Sequence, residues 1–267
     1  MTTKQEPTVL QSLDLSGKVA LVTGAGGHLG SSMARALAEA GGRMIVTSRD
    51  ADRAATSAAT LPDPHGVGHL GIALDHMESD SIDRCFERAI EQAGHVDVLV
   101  NNGHEHTSND WTDITAEQFT RQLANTTGYF LLARHVRNHA VQRDSPASVI
   151  MIGSMYGQVA SYPEVYEGIG PSSPAAYHAL KGGIIHLTRH LAIYWAKDAV
   201  RVNCLSPGPF PAPGGSQELL DRLEAKTPMG RIGQPHELNG ALLLLASDAG
   251  SYITGHNLVV DGGWTSW

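Results

Sequence analysis

Short apolar runs that alternate with longer helical patterns constrain this chain more than any other feature. The runs are 19–22, 44–47, 70–74, 96–100, 149–152, 200–205 and 258–260. Most are continuous apolar stretches without in/out alternation, the pattern of parallel strands covered on both faces. Helical spacing occupies intervals near 29–41, 79–93, 115–140, 174–196 and 235–247. Such β-α alternation predicts an α/β fold: a doubly wound, mostly seven-stranded parallel sheet in three layers, α/β/α. The 267 residues show no composition break and no repeat. The expectation is therefore one domain over 17–267 behind a polar tail over 1–16. Two irregular stretches stand out. Residues 155–173 are rich in Tyr, Gly, Pro and Ser, and residues 206–216 carry four prolines and are expected to form a structured loop. Long loops at strand ends shape binding sites in folds of this kind.

Composition removes several function classes. Apolar residues are 42% and charged residues 17%, too apolar for a largely disordered chain. Lys and Arg total 19 against 27 Asp and Glu, a formal charge of −8. That balance argues against a nucleic-acid partner and against electrostatic membrane binding. No apolar run approaches the roughly 20 residues that cross a bilayer, and the opening MTTKQEPTVLQSLDL lacks the apolar core of a signal peptide. Two cysteines, Cys85 and Cys204, cannot build a secreted disulfide framework. A cytoplasmic protein acting on a small molecule is expected.

Directly after the first run stands Thr23-Gly24-Ala25-Gly26-Gly27-His28-Leu29-Gly30, followed by an Ala-rich helical pattern. Glycines there permit a tight turn and let the N–H groups of a helix start approach a pyrophosphate. The strand–turn–helix context makes this a Rossmann-like dinucleotide turn, with Gly24, Gly26, His28, Leu29 and Gly30 as its contacts. The residue that selects the adenosine ribose should end the second strand, roughly 20 residues on. The sequence there reads Ser48-Arg49-Asp50. A small hydroxyl and a guanidinium suit a 2′-phosphate, which a carboxylate would repel. NADP(H) is favoured, with NAD(H) held through Asp50 as the alternative. Asp75, followed by His76, ends the third run and is placed to meet the adenine or to cap the next helix.

Tyr177 and Lys181 lie near the start of a helix that Ser173 is expected to cap, with Pro174 at its first position. A spacing of four puts both side chains on one helix face, and Ile184 and Ile185 extend that face. A phenol is a poor base at neutral pH. A neighbouring ammonium stabilises the phenolate, and lowering the pKa by about three units takes roughly 4 kcal/mol. A phenol so tuned exchanges a proton with an alcohol or a carbonyl. The alternative is a packed tyrosine with a snorkelling lysine.

Together these residues resemble the short-chain dehydrogenase/reductase family, in its compact single-domain branch. The resemblance runs from about Gly17 to Trp264. Its marks are the turn from Thr23 to Gly30, Asn101-Asn102-Gly103, Asn125, Ser154, Tyr177 with Lys181, Pro207-Gly208, and Asp261-Gly262-Gly263. It implies an oxidoreductase that interconverts a secondary alcohol and a ketone by hydride transfer with NAD(P). By that similarity Tyr177 would be the general acid/base, and Ser154 would hydrogen-bond the substrate oxygen. Lys181 would lower the tyrosine pKa and bind the nicotinamide ribose, while Asn125 would hold a water in a proton relay. Asn101 and Gly103 would line the cofactor, with Pro207 and Gly208 near the nicotinamide. Family members pair through their long helices and C-terminal strand, so a homo-oligomer, tetramer or dimer, is implied.

The departures from the family pattern matter. His28 stands where the compact branch usually has Gly or Ala, so the turn also fits the extended, nucleotide-sugar-modifying branch. The chain length and Asn101-Asn102 argue against that branch. Gly103-His104 replaces the usual Ala-Gly and puts an imidazole near the site mouth. The loop after Gly208 lacks the threonine that commonly meets the carboxamide. Ser154 and Tyr177 stand 177 − 154 = 23 residues apart, more than is usual, and the excess falls in Tyr156–Ser173. That insertion carries Glu164, Tyr166 and Glu167, and the loop after the fourth strand carries His104, Glu105, His106 and Asn109. Such a polar wall, with His104 and Tyr166 as substrate contacts, favours a sugar- or polyol-like substrate. A reductase of less polar ketones and a nucleotide-sensing protein without catalysis are the alternatives. The enoyl reductase branch spaces its tyrosine and lysine more widely. The fourteen histidines are scattered, and His104 with His106 lacks a third ligand, so no metal is expected.

Overall fold

In a computed structural model, which describes residues 6–266, the seven apolar runs form seven strands. They are β1 (Val19–Val22), β2 (Arg43–Ser48), β3 (Leu70–Ala73), β4 (Val98–Asn101), β5 (Ala147–Ile152), β6 (Val200–Pro207) and β7 (Asn257–Val260). All pair in parallel, in the order β3-β2-β1-β4-β5-β6-β7. β1, β4 and β5 are buried along their whole length, as strands covered on both faces must be. The helices are α1 (Val9–Leu13), α2 (His28–Glu39), α3 (Ala51–Ala59), α4 (Ser79–Ala93), α5 (Ala116–Gln142), α6 (Pro163–Tyr166), α7 (Ala175–Trp195), α8 (Gln217–Lys226) and α9 (Asn239–Ala246).

Two cores flank the sheet. On one face α4, α5 and α7 press Ile82, Phe86, Tyr129, Leu132, Leu180 and Ile184 against Leu21, Leu99 and Val149. On the other, α2 and α9 bring Met33, Leu37, Leu242 and Leu245 against Val22, Val46, Val100 and Ile150. Each fully buried side chain of this size contributes about 1.5–3 kcal/mol. The sheet and its two helical layers are the architecture that the apolar runs predict. The strand order reverses at β1, where Val22 pairs with both Val46 and Val100. The chain leaves β1 and β4 in opposite directions there, which opens a crevice at the carboxyl ends of the strands.

Four helices were not foreseen. Residues 6–16 are more than a polar tail: Thr8 caps α1 in a reciprocal capping box with Gln11, and Leu15 is buried in the core. α3 (ADRAATSAA) buries only small side chains, Ala54 and Ala58, and α8 buries Leu223 alone. Each covers a narrow face: two alanines on α3, and Leu223 with Leu219 beside it on α8. α6 is a single turn within the insertion. The last helical interval opens as a tight turn, Pro235–Leu238, before α9. Ser173 does not cap α7. Pro174 is the cap residue, with extended backbone and without a side-chain hydrogen bond. The Ser173 hydroxyl instead meets His178 Nε2 at 2.9 Å. Among the described residues, no helix is long and apolar enough to cross a membrane.

Candidate active site

The glycine turn closes tightly over the end of β1. Gly24 takes a φ of +64°, a left-handed conformation that glycine adopts at little cost. A Cβ on Gly30 would run into the Gly24 carbonyl, so α2 can begin this close to β1 only with glycine there. Thr23 joins the two neighbouring loops: its hydroxyl accepts from the N–H groups of Asn102 and Gly103, at 2.9 and 2.8 Å. Gly27 caps α2 without a side chain, which leaves the first-turn N–H groups facing the crevice as an anion-binding helix start.

One cavity of about 440 Å³ extends from this turn. It is lined by Gly24, Gly26, His28, Leu29, Gly30, Ser48, Arg49, Asp75, His76 and Gly103, with His104 and Glu105 at its edge. All these foreseen cofactor contacts therefore meet in one place. Outside that lining stand Tyr177, Lys181, Pro207, Gly208 and Asn101, the last buried and donating to the Tyr129 carbonyl at 2.9 Å, which ties β4 to α5. The cavity suits a dinucleotide: a helix start without a side-chain cap, a buried His28 Nε2 without a partner among the described residues, and guanidinium groups at the end of β2. Asp50 also lines the cavity; one of its carboxylate oxygens accepts the Arg53 N–H at 2.9 Å and caps α3, which leaves the other oxygen to accept. The Arg49 side chain is 73% exposed, and its guanidinium stands 3.9 Å from Glu105. A pair that exposed is worth under about 1 kcal/mol, and Glu105 is already held by Arg121 through both oxygens. Asp75 lines the cavity and also accepts the Met77 N–H at 3.0 Å.

The chemical groups assemble where β5 meets α7. Ser154 is buried and accepts the Tyr156 N–H at 3.1 Å, which leaves its own hydroxyl hydrogen to donate. Tyr177 is half-buried in the first turn of α7. One turn on, Lys181 is 3% exposed. Its Nζ donates to the Ile152 carbonyl at 2.7 Å and lies 5.5 Å from the centre of the Tyr177 ring. Burial pushes the lysine pKa down to about 8, which leaves the ammonium the major form at neutral pH. Burial pushes the Tyr177 phenol up, and the Ser154 hydroxyl beside it opposes that shift. In this state the loss of water has the larger effect on the phenol, which keeps its proton.

Other foreseen residues are placed differently. The buried Asn125 amide accepts the Glu105 N–H at 2.8 Å, donates to the Glu105 and Gln122 carbonyls, and lies 2.8 Å from His76 Nε2. Fully engaged, it fastens the loop after β4 to α5. Tyr166 meets the Tyr156 hydroxyl at 2.7 Å in a cluster with Val165, Leu223 and Trp264. The Glu164 carboxylate turns to α8. Glu164 pairs with Lys226 at 2.7 Å, and Arg222 donates to the Glu164 and Glu167 carbonyls. The unforeseen α8 supplies both cations, so the insertion is bound to α8. Gly208, just after β6, donates its N–H to the Val260 carbonyl at 2.9 Å, holding the Pro207-Gly208 corner against β7. His104 packs edge-on to Tyr177 with ring centres 5.5 Å apart. Gln122 and Thr107, which sequence reasoning missed, sit behind it. Among the described residues, no group of three or more His, Cys, Asp or Glu is placed to hold a metal ion.

Known proteins are similar to this chain along almost its whole length. A family model described as enoyl-(acyl carrier protein) reductase matches residues 24–265. The NADP-dependent mannitol dehydrogenase of Alternaria alternata is 34% identical over 268 residues, 97% of this chain and 97% of that one. A crystal structure of a short-chain type dehydrogenase/reductase from Mycobacterium marinum is 32% identical with a TM-score of 0.86, covering 97% of this chain and 99% of that one. A gluconate 5-dehydrogenase from Burkholderia cenocepacia J2315, solved with NADP and tartrate, is 30% identical with a TM-score of 0.88, covering 97% and 100%.

Proposed function

The chain belongs to the short-chain dehydrogenase/reductase family, and on that premise we propose that it interconverts a secondary alcohol and a ketone on a sugar- or polyol-like substrate with NADP(H). The observation that carries this reading is Lys181. A cation 3% exposed, with one backbone carbonyl as its hydrogen-bond partner among the described residues, is costly where an apolar side chain would fit. Its position beside a phenol and a serine hydroxyl, at the carboxyl ends of the strands, gives that cost a chemical purpose.

NADPH, when bound, supplies the hydride for the carbonyl carbon. Ser154 and Tyr177 donate to the carbonyl oxygen, and the protonated phenol gives up its proton as charge develops there. Lys181 stabilises the phenolate left behind, and its two remaining N–H donors suit ribose hydroxyls. Arg49 and Ser48 suit a 2′-phosphate, and one oxygen of the neighbouring Asp50 is turned to the α3 backbone. A polar substrate is supported by His104 beside Tyr177 and by the mannitol and gluconate enzymes among the relatives. The four-residue Tyr177–Lys181 spacing supports carbonyl rather than enoyl reduction.

The same reading includes a homo-oligomer. Leu123 and Val141 on α5, and Ile193 and Tyr194 on α7, are large exposed apolar side chains on the two long helices that a second copy would cover. It also includes a reducing, cytoplasmic setting, in keeping with two cysteines, Cys85 and Cys204, that are both buried and free. The test is NADPH oxidation across a panel of polyhydroxy ketones, with Tyr177→Phe as control. Tight NADPH binding without turnover in either direction would instead favour a nucleotide sensor.

A further inference from the structure

His104 is held in a way that packing alone does not require. Gln122, 1% exposed on α5, accepts two hydrogen bonds at Oε1, from the Thr107 N–H at 2.8 Å and the Thr107 hydroxyl at 2.7 Å. Those two donors fix the amide, because the flipped form would set its NH₂ against the Thr107 N–H. The Gln122 Nε2 therefore faces His104 Nε2, 2.6 Å away. An NH₂ group only donates, so His104 Nε2 must be the unprotonated nitrogen. A neutral imidazole then carries its hydrogen on Nδ1. Burial, reinforced by the Lys181, His106 and His76 charges, pushes the His104 pKa down to about 3, so the ring is neutral at working pH. Among the described residues Nδ1 has no hydrogen-bond partner, and the ring lies at the edge of the cofactor cavity against Tyr177.

We propose that His104 presents its Nδ1–H to an oxygen on the substrate carbon next to the reacting one, and so selects hydroxyketones over simple ketones. This rests on the carbonyl-reductase reading of the site. Ser154 and Tyr177 take the reacting oxygen. His104, stacked edge-on to Tyr177, stands where the neighbouring carbon carries its substituent. A neutral donor that cannot act as an acceptor suits a hydroxyl lone pair. A ketone lacking that hydroxyl leaves the donor unpaired in a desolvated site. Gln122 acts through His104 as a positioning residue, and Thr107 acts through Gln122.

Two measurements on the full chain test this. Long-range ¹⁵N spectra of the imidazole groups should show His104 as the neutral Nδ1–H form at pH 7; an Nε2–H form would overturn the proposal, with no variant needed. The second reads kcat/KM with NADPH for an α-hydroxyketone and its deoxy counterpart. His104→Leu should lower the hydroxyketone-to-deoxyketone ratio by about tenfold, the effect of one hydrogen bond. His104→Asn, which puts an amide nitrogen near the Nδ1 position, should hold the ratio within about threefold of the native value. An unchanged ratio in His104→Leu would overturn the role of His104 and leave the carbonyl-reductase reading intact. Wild-type protein that reduces neither ketone would overturn both.

Discussion

Replacing Lys181 with methionine separates what the buried ammonium costs from what it does. The lysine is 3% exposed, and its pKa falls from 10.5 to about 8 through burial. At about 1.4 kcal/mol per pH unit, that difference disfavours the charged folded form by roughly 3 kcal/mol. The folded pKa lies below the unfolded one, so the unfolded chain binds more protons between them and stability rises with pH across that window. The penalty is present in full below about pH 8 and is relieved towards pH 10.5. Lys181→Met removes it but leaves the Ile152 carbonyl without the partner it has at 2.7 Å, a loss of about 1–3 kcal/mol. At pH 7 the variant should therefore match or exceed the wild type by up to about 2 kcal/mol, while losing turnover. The assay is urea unfolding of both proteins at pH 7 and pH 9.5. The wild type should gain about 2 kcal/mol relative to the variant over that interval, since other titrating groups cancel in the difference. A difference that stays constant with pH would refute the buried-ammonium reasoning.

Arg49→Ser should raise KM for NADPH about 10- to 100-fold and leave KM for NADH within about threefold, the loss of one charge-assisted phosphate contact; steady-state kinetics with equal shifts for both cofactors would contradict the assignment. Asn125→Ala should cost about 2–3 kcal/mol in chemical unfolding, because it strips the Glu105 N–H and His76 of a buried acceptor. A loss below about 0.5 kcal/mol would mean that Asn125 does not fasten the loop after β4. Gly30→Ala should weaken NADPH binding in titration calorimetry by about tenfold or more, since its Cβ meets the Gly24 carbonyl. Native affinity in that variant would show that the turn yields without cost.

The sheet was legible because a buried parallel strand must be apolar on both faces, and β1, β4 and β5 are. The cofactor crevice was legible because the glycine turn has a fixed place after β1. Helices made largely of alanine and polar residues were not. α3 packs Ala54 and Ala58 against β3 and β2, a face of two alanines without the large apolar side chains by which the other helices were read. Missing α8 had a consequence for the site: Glu164 read as a substrate-facing carboxylate, while Lys226 pairs with that carboxylate and Arg222 holds the Glu164 backbone carbonyl. The Tyr177–Lys181 pair was visible from spacing, yet the direction of the phenol's shift depends on burial, which spacing does not encode. Gln122 and Thr107 offered no signal, since an isolated glutamine on a long helix reads as surface until its partners are known. His104 was recognised as unusual for its place after Gly103, but the nitrogen that carries its hydrogen emerges from three side chains spread over 19 positions, 104 to 122.

The central claim is that Tyr177, held beside Ser154 and Lys181, transfers the proton in an NADPH-dependent carbonyl reduction. The direct measurement is single-turnover oxidation of bound NADPH by a polyhydroxy ketone in the wild type and in Tyr177→Phe, with NADPH affinity measured on both. The account predicts rapid oxidation in the wild type, a loss of at least about 10²-fold in the variant, and NADPH affinity unchanged within about threefold. Oxidation by the phenylalanine variant at the native rate would contradict it.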